Sequence, residues 1–244
     1  MKILGMIPAR YGSTRFPAKA LADIGGKSMI QRVYEQASKA RMLDEVIVAT
    51  DHEAIQSVVQ GFAGKVCMTS KAHQSGTDRC YEALSLQPGA YDYVINIQGD
   101  EPFIAPDQID LLAGLLDGET QLATLVKKID DEEELFNPNV VKVIFNRYHQ
   151  AIYFSRATLP YNRNIPQNQW LQQHDYFKHI GIYAYRSDVL HEITLLEASA
   201  LEKSESLEQL RWIENGYTIK VAETQHQSIG VDTPEDLERL KNLY

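Results

Sequence analysis

The chain opens with an apolar run followed at once by a basic loop: Ile3-Leu4-Gly5-Met6-Ile7, then Pro8-Ala9-Arg10-Tyr11-Gly12-Ser13-Thr14-Arg15-Phe16-Pro17-Ala18-Lys19-Ala20-Leu21. A short apolar run bounded by turn residues is typical of a buried strand. In open α/β sheets, ligands bind beyond the carboxyl ends of the strands. The opening stretch therefore predicts the first strand of such a sheet and, directly after it, a binding loop.

Strand-like and helix-like segments alternate through the first half of the chain. Short apolar runs at 46–49, 66–68 and 93–97 predict strands. Between and after them, residues 28–40, 53–59, 78–84 and 107–116 predict helices, and Gly25-Gly26 predicts a turn before the first of these. This alternation indicates an α/β fold, with a mostly parallel sheet and helices on both faces.

The second half is richer in β-like segments with short connections. We predict strands at 121–128, 140–145, 151–155 and 180–185, part of them in an inserted, partly antiparallel segment. Residues 161–176 are polar and predict a long loop. A helix over 204–215 stopped by Gly216, a strand at 218–222 and a helix beginning at Thr233-Pro234 complete the pattern. Since no linker is evident, we interpret residues 1–244 as a single domain.

Composition excludes several classes of protein. The 244 residues are 44% hydrophobic and 23% charged, which is typical of a globular protein rather than a disordered one. The net charge of -9 argues against general binding to nucleic acid. We interpret Cys67 and Cys80 as small buried hydrophobic residues. The sequence shows no apolar run long enough for a membrane span or a signal peptide, so a cytoplasmic location is the default expectation.

The loop after the first predicted strand carries an excess of positive charge. Four basic residues and no acidic residue lie between Met1 and Ala22. Arg10, Arg15 and Lys19 can converge on several phosphate oxygens, with further donors from the segment 12–14. The loop matches neither the Walker A motif nor the dinucleotide-binding fingerprint. We rank phosphate binding above a merely solvated basic loop, because the prolines and small residues indicate a shaped turn.

Two aspartates follow predicted strands and can hold a metal ion. Asp100, in Gln98-Gly99-Asp100-Glu101-Pro102, follows the strand at 93–97, and Asp232 lies at a second turn before a helix. One carboxylate from each of two loops, with phosphate oxygens and water, is a usual way to hold Mg²⁺. For Asp232, simple turn or capping chemistry is at least as good an explanation. Asp51, another acid after a strand, we interpret as structural or peripheral.

The motifs, taken together and in order, resemble those of one enzyme family nearly end to end. They are Ile7-Pro8-Ala9-Arg10 with 13–17 and Lys19, then the segments 48–51, 73–79, 98–102, 137–143, 153–156, 178–183, 207–211 and 230–236. In these segments the chain resembles the 3-deoxy-manno-octulosonate (Kdo) cytidylyltransferases. The resemblance implies an enzyme that joins CTP to Kdo, giving CMP-Kdo and pyrophosphate for lipopolysaccharide biosynthesis. It also implies a Mg²⁺-dependent homodimer with a Rossmann-like core and an inserted sugar-binding and dimerisation segment at about residues 130–190.

The same resemblance implies roles for individual residues. It places Ala9, Arg10, Ser13, Arg15, Lys19, Gln74, Ser75, Gly76 and Arg79 at the nucleotide, Asp100 and Asp232 at the metal, and Gln98, Arg156, His179, Tyr183, Glu208 and Gln209 at the sugar. Of these, Arg10, Lys19, Asp100 and Asp232 are the predicted catalytic residues. The chain departs from the family at Ala18 and Ala20, where the family usually reads Gly and Pro.

The sugar-side residues give weaker signals by themselves. Arg156 can pair with a sugar carboxylate through its planar fork. His179 is as readily explained as a structural residue, and Glu208 and Gln209 as part of a solvated helix face. Tyr183 and Tyr185 lie two residues apart on one strand, and we expect one to face the site and the other the opposite face.

Three other functions stay open at this level. A cytidylyltransferase for another sugar acid, such as 8-amino-Kdo or a neuraminate, fits the same motifs. A nucleotide-sugar glycosyltransferase often shows an Asp-x-Asp motif, where this chain has Gln98-Gly99-Asp100. A non-catalytic nucleotide-binding regulator would bind CTP without releasing pyrophosphate. Since no Ser-His or Cys-His pair is evident in the sequence, we expect a single in-line displacement without a covalent intermediate.

Overall fold

A computed structural model describes residues 1–12, 16–227, 230–231 and 233–241. The strands are β1 (Ile3–Ala9), β2 (Asp23–Ile24), β3 (Lys27–Ser28), β4 (Glu45–Thr50), β5 (Val66–Met68), β6 (Tyr93–Asn96), β7 (Leu122–Lys128), β8 (Lys142–Phe145), β9 (Ala151–Ser155), β10 (Phe177–Arg186) and β11 (Ile219–Glu223). The helices are α1 (Met29–Ala37), α2 (Glu53–Gly61), α3 (Gly76–Ser85), α4 (Pro106–Ala113), α5 (Glu132–Phe136), α6 (Trp170–Gln173), α7 (Ser187–Thr194), α8 (Ala200–Glu205), α9 (Gln209–Glu214) and α10 (Pro234–Lys241). Short 3-10 helices cover Lys19–Leu21 and Gln167–Gln169.

One mixed sheet organises the molecule, with strand order β11-β7-β10-β6-β1-β4-β5. Strand β1 pairs in parallel with both β4 and β6, and β11 pairs in parallel with β7. Strand β10 runs antiparallel to its neighbours β6 and β7. The hairpin β8–β9 attaches to β10. The predicted mostly parallel, Rossmann-like α/β sheet with an inserted β-rich segment is thus confirmed.

The two faces of the sheet bury separate hydrophobic cores. Along β1, Ile3 and Ile7 pack into one core with α1, α2 and α4, whereas Leu4 and Met6 pack into the other with α3, α7 and α9. Side chains of a strand alternate between faces, so a continuous apolar run places apolar groups on both. This burial explains why β1 reads as unbroken apolar sequence, and it fixes the strand that carries the basic loop.

The helix predicted over 204–215 is in fact two helices. Helix α8 begins earlier, at a capping box in which Ser199 and Glu202 exchange hydrogen bonds, and α9 begins only at Gln209. Between them Ser206 has a left-handed backbone, with φ of 54°. The break turns the chain so that Leu207 and Gln209 are buried. A prediction based on periodicity alone missed it, although the Ser199-x-x-Glu202 pattern marks a helix start.

The segment 161–176, predicted as a loop, contains a 3-10 turn and helix α6. Trp170 anchors it: the residue is 1% exposed, and its indole N–H donates to the carbonyl of Ile165 at 2.9 Å. Trp170 also contacts Tyr161 and Tyr176 through ring stacking and edge packing. Polar composition indicates a loop here because two buried aromatic residues, Trp170 and Tyr176, hold the segment rather than a periodic apolar stripe. Helices α5 and α7 were also not predicted.

The prediction that Tyr183 and Tyr185 face opposite sides of the sheet is wrong. Both rings lie in the same core, 6.0 Å apart, and both pack edge-on against Trp212. Residues two apart in a strand point to the same face, so this arrangement is the one a regular strand requires.

Two local predictions are confirmed, the turn at Gly25-Gly26 and the helix start at Thr233-Pro234. Gly25 and Gly26 form the turn of the β2–β3 hairpin with positive φ angles of 58° and 80°. Thr233 caps α10, accepting the N–H of Asp236 at 3.3 Å. Cys80 is fully buried, whereas Cys67 is half-buried. Within the described residues, no helix is both long and apolar enough to cross a membrane.

Candidate active site

The carboxyl ends of β1 and β6 lie side by side, and a cleft of about 280 Å³ opens beyond them. Three segments form its walls: the end of β1 with the basic loop, the residues before and within α3, and the residues after β6. The lining residues are Pro8, Ala9, Arg10, Lys19, Ala20, His73, Gln74, Ser75, Gly76, Arg79, Gln98, Gly99 and Asp100. The cleft is therefore where an open α/β sheet is expected to bind its ligand.

The basic loop returns to the cleft at Lys19. The N–H of Ala18 donates to the carbonyl of Tyr11 at 3.0 Å, which closes the loop at its base. Ala18 itself adopts a left-handed backbone with φ of 54° and ψ of 26°, a conformation that favours glycine. From there Lys19 extends its ammonium to Asp100, with 2.7 Å between Nζ and Oδ2. Residues 13–15, including the predicted Ser13 and Arg15, lie outside the described residues.

The turn after β6 brings Asp100 close to β1. A Cβ atom at Gly99 would lie 2.8 Å from the carbonyl oxygen of Pro8, so only glycine fits there without a shift of the backbone. The carbonyl of Asp100 accepts the N–H of Val231 at 2.9 Å. Val231, the residue before Asp232, thus lies against Asp100. Asp232 itself is outside the described residues.

The start of helix α3 forms the opposite wall. Ser75 caps the helix, its hydroxyl accepting the N–H of Asp78 at 3.1 Å, and Gly76 begins the helix itself. Gln74 is exposed just before them. Arg79 is 3% exposed, and its guanidinium donates to Asp51 at 3.0 Å and to Thr69 at 2.6 Å. A helix start beside an arginine presents donors to an anion.

A second group of predicted residues lies behind this cleft, along β10 and α9. Gln98 links the two regions, because it lines the cleft and donates its amide to the carbonyl of Gly181 in the bulge of β10, at 2.8 Å. Glu208 accepts the hydroxyl of Thr77, on α3, at 2.8 Å. Burial raises the pKa of Glu208 above its ordinary value. The residues predicted to bind the sugar are therefore connected to the cleft by hydrogen bonds through α3 and through the bulge of β10.

Three of these residues are uncharged in the folded protein. Desolvation lowers the pKa of His179 to about 3, so its ring, bonded to the Thr124 hydroxyl at 3.0 Å, is neutral near pH 7. Tyr183 is 8% exposed, and its hydroxyl finds no hydrogen-bond partner within the described part of the chain. Gln209 is buried at 6% exposed. Such buried polar groups are expected where a polar ligand completes the bonding.

Arg156 lies apart from the lining of the cleft. Its guanidinium donates to the backbone carbonyls of Glu205 at 2.8 Å and of Pro138 at 3.1 Å. These bonds orient the guanidinium of Arg156 by the backbone on one side.

The structure thus brings one predicted set together at the cleft: Ala9, Arg10, Lys19, Gln74, Ser75, Gly76, Arg79, Gln98 and Asp100. Arg156, His179, Tyr183, Glu208 and Gln209 do not line it. His73 lines it without having been assigned a role, and its ring nitrogen contacts the carboxylate of Glu82. No sequence spacing marks that pair as functional, since both residues also fit an ordinary exposed loop and helix face.

Comparison with known proteins identifies the family. The model of the family described as Cytidylyltransferase matches residues 4–221. The chain is 56% identical to the 3-deoxy-manno-octulosonate cytidylyltransferase of Parabacteroides distasonis, over 98% of this chain and 96% of that protein. It is 57% identical to the enzyme of the same name from Phocaeicola vulgatus, with the same coverage. The chain belongs to the 3-deoxy-manno-octulosonate cytidylyltransferases.

A solved structure supports the same assignment. It is that of CMP:2-keto-3-deoxy-manno-octonic acid synthetase complexed with CTP, which is 44% identical to this chain with a TM-score of 0.93. The match covers 100% of this cytidylyltransferase and 98% of that chain. The resemblance inferred from the motifs, including the enzyme class, is therefore confirmed.

Proposed function

We propose that this cytidylyltransferase activates Kdo with CTP, giving CMP-Kdo and pyrophosphate. One observation carries the proposal: the ion pair of Lys19 and Asp100, 2.7 Å apart, lies in a cleft at the sheet edge of a chain whose relatives carry this name. A cation for phosphate oxygens and a carboxylate for a metal ion, held in contact, are the two groups that a nucleotidyl transfer needs at one place.

The chain's own residues act by positioning and by neutralising charge. The exposed guanidinium of Arg10 and the ammonium of Lys19 face the triphosphate, and the start of α3 binds the nucleoside end. The anomeric hydroxyl of Kdo attacks the α-phosphorus of CTP. A bond forms between that oxygen and phosphorus, the bond to the β-phosphate oxygen breaks, and the hydroxyl proton is released. Holding both substrates in line supplies much of the acceleration.

The donor set at Asp100 fits Mg²⁺. No group of three or more His, Cys, Asp or Glu side chains that could hold a metal lies within the described residues. A magnesium ion usually takes only one or two carboxylates and completes its shell with phosphate oxygens and water. Asp100 supplies one carboxylate, and Asp232 is the proposed second. When bound, Mg²⁺ neutralises the triphosphate and polarises the reacting phosphoryl group.

The sugar is proposed to bind beside Gln98, where the cleft meets β10. There Gln98, His179, Tyr183, Glu208 and Gln209 offer hydrogen bonds to its hydroxyls, and Arg156 offers its fork to the carboxylate. A neutral His179 suits a hydroxyl partner rather than a carboxylate. In this proposal the attacking hydroxyl lies on the β10 side of the cleft and the triphosphate on the β1 side.

Three further features belong to the same proposal. The protein acts as a homodimer through the inserted segment at about residues 130–190, where Tyr148 and Ile152 expose large apolar surface. It acts in the cytoplasm, where CTP is available. Its product is used in lipopolysaccharide biosynthesis. Sedimentation of the pure protein checks the dimer, and a monomer at micromolar concentration would contradict it.

The deciding experiment is pyrophosphate release with CTP, Mg²⁺ and Kdo. We expect release with this combination, and a rate reduced by at least about tenfold when UTP or ATP replaces CTP. Parallel reactions with 8-amino-Kdo and a neuraminate test the alternative acceptors. A faster reaction with either of them would reassign the substrate, and no release with any sugar acid would remove the proposal.

A further inference from the structure

The carboxylate of Asp51 bonds to both walls of the cleft without lining it. Asp51 follows β4 directly, and its side chain is 12% exposed. Its Oδ1 accepts the backbone N–H of Tyr11, in the basic loop, at 3.0 Å. Its Oδ2 accepts Nη2 of Arg79, on α3, at 3.0 Å. One carboxylate, with its side chain 12% exposed, thus bonds to the basic loop and to helix α3 at the same time.

Asp51 supplies the counter-charge of the Arg79 guanidinium. Its other terminal nitrogen donates to neutral acceptors only, the hydroxyl of Thr69 at 2.6 Å and the carbonyl of Ser70 at 3.3 Å. A buried guanidinium is strongly destabilised when its counter-charge is removed. The orientation of Arg79 toward the cleft is therefore fixed by Asp51.

Tyr11 is the residue through which the basic loop is attached to Asp51 and His52. Asp51 holds its N–H, its ring stacks on His52 with centroids 3.8 Å apart, and its carbonyl accepts the N–H of Ala18. Because Ala18 directly precedes Lys19, a shift of Tyr11 is passed to the residue that pairs with Asp100.

We propose that Asp51 is a positioning residue that acts through Arg79 and Tyr11. It couples helix α3, where the nucleoside is proposed to bind, to the basic loop, where the triphosphate is proposed to bind. This inference rests on the proposed function, since it assumes that the cleft binds CTP. It assigns a role in nucleotide binding to an acid that the sequence alone marked as structural or peripheral.

The test is Asp51→Asn, measured by calorimetry with CTP and, separately, with pyrophosphate. An asparagine can accept the Tyr11 N–H, but it has no charge for Arg79. We expect the dissociation constants of both ligands to rise by about tenfold or more, because the loss of the charged contact lets Arg79 and residue 51 move, and residue 51 passes the shift to Tyr11 and the loop. The KM for Kdo is expected to stay within about twofold, since the sugar side does not contact Asp51.

Glu202→Gln is the matched control. Glu202 also binds an arginine, Arg211, at 2.6 Å, and its side chain is 15% exposed, but it lies outside the cleft. We expect this variant to lose stability while binding CTP and pyrophosphate normally. A second variant, Asp51→Glu, keeps the counter-charge in case Asp51→Asn does not fold. Its longer side chain cannot keep both 3.0 Å contacts, so pyrophosphate binding should again weaken.

The outcomes separate the two proposals. Normal pyrophosphate binding in both Asp51 variants would overturn the coupling, even if CTP binding is weaker. If the unaltered protein releases no pyrophosphate from CTP and Kdo, the proposed function fails, whereas the ligand-binding comparison still decides the role of Asp51.

Discussion

At the scale of single residues, the shape of the cleft depends on a few close contacts. The carboxylate of Asp100 is held by Lys19, and its backbone is held by Val231. Gly99 must remain without a side chain because Pro8 lies against it. Ala18 accepts a backbone conformation that costs an L-residue roughly 1–2 kcal/mol. Such constraints concentrate where a loop must present charges to a ligand.

Asp100→Asn should abolish turnover and leave the fold intact. The amide keeps the shape of the side chain but loses the charge that the proposed Mg²⁺ site requires, and a loss of at least about 100-fold in kcat is expected. Pyrophosphate release at saturating CTP measures it, and circular dichroism checks the fold. Asp107→Asn, at a side chain that is 74% exposed, is the control and should be fully active. Near-normal turnover of Asp100→Asn in Mg²⁺ would refute the metal role.

Ala18→Gly should stabilise the protein by up to about 1 kcal/mol, which raises the Tm by about 2–4 °C in a chain of this size. Glycine removes the strain of the left-handed backbone at position 18, which stabilises the folded state. It also raises the conformational entropy of the unfolded chain, which offsets part of that gain. Ala63→Gly is matched to it, since Ala63 also has a positive φ, of 60°, but follows α2 away from the cleft. Both variants should gain stability, and only Ala18→Gly should change the KM for CTP. An unchanged or lower Tm for Ala18→Gly would show that Ala18 carries no strain.

At the scale of elements, two segments depart from their local sequence pattern because of tertiary packing. The turn at Ser206 divides one predicted helix so that Leu207 and Gln209 reach the core. The segment 161–176 is ordered around Trp170 despite its polar composition. In both, a few buried contacts override the periodicity on which helix prediction depends.

Trp170→Ala should loosen the 161–176 segment and reduce the free energy of unfolding by about 3–5 kcal/mol, as for other large buried aromatic residues. Denaturant unfolding measures the loss, and limited proteolysis should cut first within this segment. Tyr161→Ala, at a side chain that is 72% exposed, should cost less than about 1 kcal/mol. Equal losses in the two variants would contradict the anchoring role of Trp170.

At the scale of the whole molecule, the proposed nucleotide site is charged, whereas the proposed sugar site beside it is formed mainly by partly or fully buried polar groups. The cleft contains Arg10, Lys19, Arg79 and Asp100, whereas the proposed sugar site contains a neutral His179 and a Glu208 whose pKa is raised by desolvation. Burial of these groups ties stability to pH. A histidine whose pKa is lowered by folding leaves stability unchanged well above its unfolded pKa, where it is neutral in both states, and opposes folding as the pH falls below that pKa.

The free energy of unfolding should therefore fall as the pH drops from about 6.5, the usual pKa of histidine, toward 3. Over this window the unfolded state binds the proton that folded His179 rejects, and the contribution is at most about 1.4 kcal/mol per pH unit. His179→Gln should flatten the curve measured by urea unfolding, while His226→Gln, at an exposed site, should not. The raised pKa of Glu208 makes the fold more stable, rather than less, as the pH falls. Glu208 is present in every variant, so it does not affect the difference between their curves. Parallel curves for the unaltered protein and His179→Gln would contradict the burial argument.

The sequence by itself determined the α/β class, the first strand and its basic loop, and the family, because these depend on local hydrophobic patterns and on motifs with fixed spacing. It also indicated Asp100 and Lys19 as partners in one site. Only the tertiary structure decided that Asp51 bonds to both Tyr11 and Arg79, that Trp212 packs against the Tyr183 and Tyr185 rings, and that the break at Ser206 buries Leu207 and Gln209. The physical reason is that these contacts join residues distant along the chain, and burial between elements fixes them rather than any preference of the local sequence.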